Sequence, residues 1–206
     1  MANISRPRGL SPVGSVTGAA FNEQGSLYAI ANDATNTYAI GDVVTLATTG
    51  SDANGVAYIT KMSADTATPL GVIVGIRPAD PGVSLQGTNI DLAKLYLSQS
   101  AGLHYAYVIV DPQVVYEIQA DTYALADVGK NVGMNYTAAD SLSQFSPQSS
   151  TTAKASTVIA LGTTGSLGLP LNVIGFAQRA DNAAGAAAKL LVVLNRSVFK
   201  QAVGTA

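Results

Sequence analysis

The chain has no cysteine, a single histidine and few charges. Without thiols, disulfide staples, thiol catalysis and cysteine metal sites are all excluded. The one histidine, His104, has no second imidazole with which to share a metal. On an alternating strand, a lone histidine is expected to be a packed or hydrogen-bonded residue. Charged residues make up 12% of the 206 positions, about half the usual share of roughly 25%. Apolar residues reach 48%, yet no run approaches the roughly 18 apolar residues that cross a bilayer. A soluble chain with so little solvating charge is expected to have much of its surface covered by partners. The opening residues MANISRPRGLSP lack the apolar core of a signal peptide. They predict a protein made and kept in a cytoplasm until it is assembled.

What is present is strand grammar. From Leu103 to Ala120 the sequence LHYAYVIVDPQVVYEIQA alternates with period two in β-branched and aromatic residues, the pattern of pleated strands. His104, Ala106, Val108 and Val110 share one face of the first half, and Tyr105, Tyr107 and Ile109 the other. Asp111-Pro112 breaks the run, because proline offers no amide hydrogen to a ladder. Short strands are further predicted over 26–31, within 38–46, over 56–62 and 68–76, over 131–135 and 158–161, and in the closing segments 169–178 and 190–198. Loops are predicted between them, at 32–37, 48–55, 77–87 and 137–156. One helical turn is predicted within 121–129, and 89–98 fits a helical turn or a strand. Strands at spacings of roughly 8–12 residues predict an all-β domain. The expected architecture is a β-sandwich or jelly-roll-like body over residues 21–206, preceded by an extended arm over residues 1–20.

The arm is predicted from Pro7, Pro12, Gly9, Gly14 and Gly18, which exclude a helix. Its apolar residues Ile4, Leu10, Val13 and Val16 are too sparse to form a core, so they are expected to lie across a neighbour. Arg6 and Arg8 are its only charges, and residues 189–206 hold Lys189, Arg196 and Lys200 without an acid. The middle of the chain is left with six bases against thirteen acids, about −7. Basic ends on an acidic body are either docking arms or scattered charges with no role. On the first reading, Ile4, Arg6, Arg8, Leu10, Val13 and Lys200 are the candidate partner-binding residues. Five basic residues are too few for nucleic-acid binding, which scales with the phosphates neutralised.

Sites for chemistry are sparse. Most aspartates fall in turns, where a carboxylate bonds its own backbone. A glycosidase needs two facing carboxylates, and Asp111 and Glu117 are the pair to check. The 162–168 segment GTTGSLG has no following lysine and no predicted helix, so it reads as a turn, not a phosphate loop. Thr48-Thr49-Gly50-Ser51 recurs at 163–166, and Pro69-Leu70-x-Val72-Ile73 recurs at 170–174. The two offsets differ, so the recurrences read as shared turn and strand grammar, as two related sheets would show.

Four segments carry a resemblance. They are Tyr116-Glu117-Ile118-Gln119, then Ala126-Asp127-Val128-Gly129-Lys130-Asn131, then Val173 to Asn182 (VIGFAQRADN), and Ala188 to Asn195 (AKLLVVLN). Over about the last ninety residues the chain resembles the capsid cement or decoration proteins of tailed bacteriophages. The resemblance implies a β-sandwich or jelly-roll clamp on the outer surface of the virion head, bridging major capsid protein subunits. It also implies self-association as a homodimer or homotrimer, synthesis in the host cytoplasm, and no catalytic residue, cofactor, nucleic-acid or membrane partner. The rival expectations are a tail or fibre module that binds a receptor and, more remotely, a glycan hydrolase.

Overall fold

In the computed structural model the described residues are 3–19, 24–30, 38–77, 96–97, 103–135, 152–153 and 169–199. Among them the fold is all-β, with one 3₁₀ turn at Leu125–Asp127. In chain order the strands are β1 (Ser11–Ser15), β2 (Ser26–Ile30), β3 (Tyr38–Ala39), β4 (Val43–Ser51), β5 (Ala57–Lys61), β6 (Gly71–Arg77), β7 (Tyr96–Leu97) and β8 (His104–Ile109). They continue as β9 (Val114–Gln119), β10 (Thr122–Tyr123), β11 (Asn131–Val132), β12 (Met134–Asn135), β13 (Thr152–Ala153), β14 (Leu171–Phe176), β15 (Gly185–Ala186) and β16 (Lys189–Leu194).

Two bodies of strand share the work. Strands β2-β5-β4-β6-β8 close into a small barrel, and β1-β9-β16-β14-β11 form a five-stranded antiparallel sheet. The barrel is antiparallel except where β2 meets β5 in a short parallel pairing that completes the ring. Closure removes the exposed ladder edges that invite unwanted pairing. The break at Asp111-Pro112 takes the chain from one body to the other. Strand β8 lies in the barrel between β2 and β6, and β9 lies in the sheet between β1 and β16. Asp111 holds the corner by accepting the Gln113 amide at 2.8 Å.

The predicted alternation decides which core each side chain enters. Ala106 and Val108 fill the barrel interior with Ile30, Val44, Ile59 and Ile73. Ile109, one pleat away, enters a second core with Val43, Met62 and Val72, against Val114, Tyr116 and Ile118 of β9 and Leu190, Val192 and Leu194 of β16. That second core is the layer between barrel wall and sheet. Gly71 permits the barrel to be this narrow: a Cβ there would collide with the backbone carbonyl of Ile109.

The related segments at 69 and 170 occupy comparable places, leading into β6 of the barrel and β14 of the sheet. Each strand carries a bulge before a glycine, at Ile73/Gly75 and at Val173/Gly175. A bulge adds local twist, which both a closing barrel and a coiled sheet need. Several boundaries differ from the sequence reading: Arg77, expected in a loop, ends β6, and β16 stops at Leu194, short of the expected 198. The loop expected from Thr48 begins later, because β4 runs on to Ser51 and pairs it with Ala57. The Asp52 carboxylate then closes this hairpin, accepting the Asn54 and Val56 amides at 2.9 and 2.8 Å and the Tyr105 hydroxyl at 2.7 Å. Burial raises its pKa, but those hydrogen bonds outweigh burial and hold it below the ordinary carboxylate value. The expectations for 32–37, 78–87, 137–151 and 154–168, for all of 89–98 but Tyr96–Leu97, and for Lys200 fall outside the described residues.

Tyr116 is wholly buried in the second core, and its hydroxyl has no hydrogen-bond partner among the described residues. Burial pushes this phenol well above its ordinary pKa, with the Asp111 carboxylate adding to the effect. A buried donor left unsatisfied costs about 1–3 kcal/mol. Tyr116→Phe deletes only that group, so it is expected to stabilise the protein by about 1 kcal/mol and raise the melting temperature by about 2–4 °C. A lower melting temperature in a thermal scan would show instead that the hydroxyl is engaged.

The N-terminal segment does not lie free of its own body. Strand β1 pairs with β9, its Pro12 and Gly14 flanking a bulge. Leu10 is 1% exposed and belongs to the core between sheet and barrel, so its place among the partner-binding residues is corrected. Its amide donates to the Gly41 carbonyl at 2.9 Å. An isolated leucine in an extended segment gives no sign of whether its cover comes from its own chain or another.

Candidate functional site

The sheet alternation that buries Ile118, Leu190 and Val192 puts Glu117, Gln119, Lys189 and Leu191 on the opposite face. Register makes neighbours of them: Lys189 pairs with Gln119, and Leu191 with Glu117. Residues 3–9 pass beside this polar end of the face. Together they line a cleft of about 250 Å³ formed by Ile4, Arg6, Arg8, Glu117, Arg179, Asp181 and Lys189 among others.

Gln119 is the clasp. It is 7% exposed; its Oε1 accepts the Arg6 amide at 2.6 Å and the Lys189 ammonium, and its Nε2 donates to Ser5 Oγ at 3.1 Å. The Lys189 Nζ also donates to the Ile4 carbonyl at 3.2 Å. Further out, the Asn3 side chain donates to the Ala183 and Ala186 carbonyls at 2.8 and 2.7 Å and accepts the Ala183 amide at 2.9 Å. Buried Gln119 and half-buried Lys189 thus hold the backbone at Arg6 and Ile4, and the Asn3 and Ser5 side chains add anchors, leaving the Arg6 and Arg8 side chains exposed.

The charges in the cleft do not cancel. Four cations, Arg6, Arg8, Arg179 and Lys189, stand against two carboxylates, Glu117 and Asp181, a net +2 on a chain of net −2. Glu117 is already paired with Arg179. Burial pushes the Lys189 ammonium below its ordinary pKa; Glu117 opposes this, while Arg179 and Arg8 add to it.

Of the sequence candidates, the structure brings Ile4, Arg6 and Arg8 together in this cleft. It places Val13 outside, 51% exposed on the bulge of β1. Val16 stands nearby, 60% exposed, beside a mostly apolar groove shared with Pro112 and Val193. Arg179, Gln119 and Asn3 were not singled out for this site from sequence, and only the alternation of 116–119 and 188–195 hinted at a shared face. Asp111 and Glu117 have separate partners, the Gln113 amide and Arg179 respectively. Among the described residues no group of three or more His, Asp or Glu side chains is placed to hold a metal ion, and no helix is long and apolar enough to cross a membrane. The chain matches no protein-family model, no curated protein and no solved structure.

Proposed function

We propose that the chain is a structural virion protein that binds the outside of a tailed-phage head, bridging and stabilising major capsid protein subunits. The observation that carries this reading is where the resembling segments lie. Separated in sequence, they fall on β9, β14 and β16 and reach the first residue of β11, four adjacent strands of one sheet, with the 3₁₀ turn beside them. The resemblance therefore covers a structural unit and not scattered matches.

The surface chemistry favours such a role. Ile4, Val13 and Val16 are 65%, 51% and 60% exposed along the N-terminal segment, on a chain with 12% charged residues. Ile4 beside the arginines of the cleft, with Val13 and Val16 farther along the segment, makes a surface that a protein partner can dry and neutralise. Many equivalent contacts on a lattice convert weak individual binding into durable decoration. A ligand that binds only the closed shell also opposes its opening by mass action.

The test is addition of the purified chain to heads that lack it, followed by sedimentation and imaging. Saturable decoration at a copy number set by the capsid lattice, with heads that survive higher temperature, is expected. Density for the chain only at the tail would replace this reading with a tail or fibre module. A monomer that never sediments with heads would end it. Truncation to probe the N-terminal segment should stop at residue 8, because removing Leu10 would cost about 2–5 kcal/mol of core stability and confuse unfolding with lost binding.

A further inference from the structure

The cleft offers cations without enough acids. Arg6 and Arg8 are exposed, and neither guanidinium is given an acceptor by the described residues. Lys189 reaches only neutral oxygens, those of Gln119 and Ile4. Glu117 is taken by Arg179, which leaves Asp181 as the one other carboxylate in the cleft. The backbone is held at Arg6 by Gln119 and at Ile4 by Lys189, and the Asn3 side chain anchors the start of the segment, so little ordering remains to be done when a ligand arrives, which lowers the cost of binding. The exposed Ile4 side chain stands on the rim.

We infer that this cleft is a socket for an acidic segment of a protein partner, whose carboxylates bridge Arg6 and Arg8 while its apolar neighbours cover Ile4. Arginine suits this task because its planar fork holds a carboxylate through two parallel hydrogen bonds. The mixed lining favours peptide over nucleic acid. A phosphate backbone would meet the Glu117 and Asp181 carboxylates and only four cations, too few for strong neutralisation. The inference deepens the capsid reading and takes the partner's identity from it, but the charge of the cleft does not depend on that identity.

Two experiments separate the claims. In the first, the purified chain is titrated at low salt with a glutamate decapeptide, and separately with inorganic phosphate and a short single-stranded oligonucleotide, while side-chain resonances are followed. The decapeptide is expected to shift Arg6, Arg8 and Lys189 saturably. Its affinity should fall about tenfold or more in Arg6→Glu/Arg8→Glu, and also on raising salt until the Debye length is about 8 Å. Arg6→Lys/Arg8→Lys keeps the charge but loses the fork, and should retain part of the affinity. Since both side chains are exposed and unengaged, the melting temperature of each variant should match the parent. Absence of saturable peptide binding, binding that survives charge reversal, or tighter binding of the oligonucleotide to the same residues would each overturn the inference. In the second experiment the same variants are added to heads. Unchanged decoration and salt profile in the charge-reversed variant would defeat the socket and leave the capsid reading standing. Peptide binding in the cleft by a chain that never decorates heads would do the reverse.

Discussion

Asp42→Ala is expected to lower the stability of the protein by about 3–5 kcal/mol, a fall in melting temperature on the order of 10 °C. Asp42 is fully buried, and its Oδ2 lies 2.9 Å from the ammonium of Lys61, which is 10% exposed. The same oxygen accepts the Ala39 amide at 2.9 Å. Alanine removes the carboxylate but leaves the cation in place with its desolvation cost. The damage should therefore exceed that of losing both charges together. Asp42→Asn/Lys61→Met keeps an acceptor for the Ala39 amide and buries no ions, so it should recover most of the loss. Thermal melts of the parent, the single variant and the double variant decide the point. A single variant that melts within about 2 °C of the parent would show that water reaches Lys61 easily and that the pair contributes little.

Gly41→Ala is the second large effect, one residue earlier in the same turn. Gly41 has φ +92°, in the region that side chains disfavour, and a Cβ there would sit far inside contact distance of the Arg8 carbonyl. The cost combines about 1–2 kcal/mol of backbone strain with about 1–3 kcal/mol of overpacking. The consequence reaches further than stability. Leu10 is tied to the Gly41 carbonyl, and Gly41 is tied to the Ile73 carbonyl at 2.9 Å. Pushing Arg8 away should therefore loosen residues 3–10 and disperse the arginine cleft. Hydrogen exchange should show faster exchange in the N-terminal segment, with the barrel strands still protected. Gly50→Ala is the control, because Gly50 also has positive φ (+85°) but nothing near its missing Cβ. It should show the strain alone and leave the N-terminal segment in place. Equal exchange in the two variants would mean that the contact with Arg8 does not seat the segment.

The Gly-Asp turn shows how far local reading goes. That a turn lies between Tyr38 and Val43 is legible from the residue types, since glycine and aspartate both favour such geometry. That it joins the barrel to the N-terminal segment is not legible, because its partners Arg8, Leu10, Lys61 and Ile73 are distant in the chain. The Asp111-Pro112 break is similar: proline marks the interruption, but nothing nearby says that the strands on either side join different sheets. For the cleft, Arg6 and Arg8 were visible as a basic pair. Gln119 and Arg179 were not, since the amide acquires its role only when β9 and β16 are in register, and the guanidinium only when the segment after β14 reaches Glu117.

Composition and period-two alternation by themselves determined an all-β protein without thiol chemistry, because pleat geometry and residue type are properties of neighbours along the chain. The tertiary structure alone decided that the strands divide between a closed barrel and an open sheet, and that Leu10 is core. It also decided that residues 3–9 border a cleft of net positive charge. Those outcomes depend on strand register and on contacts between residues up to 185 positions apart, which a local pattern does not encode.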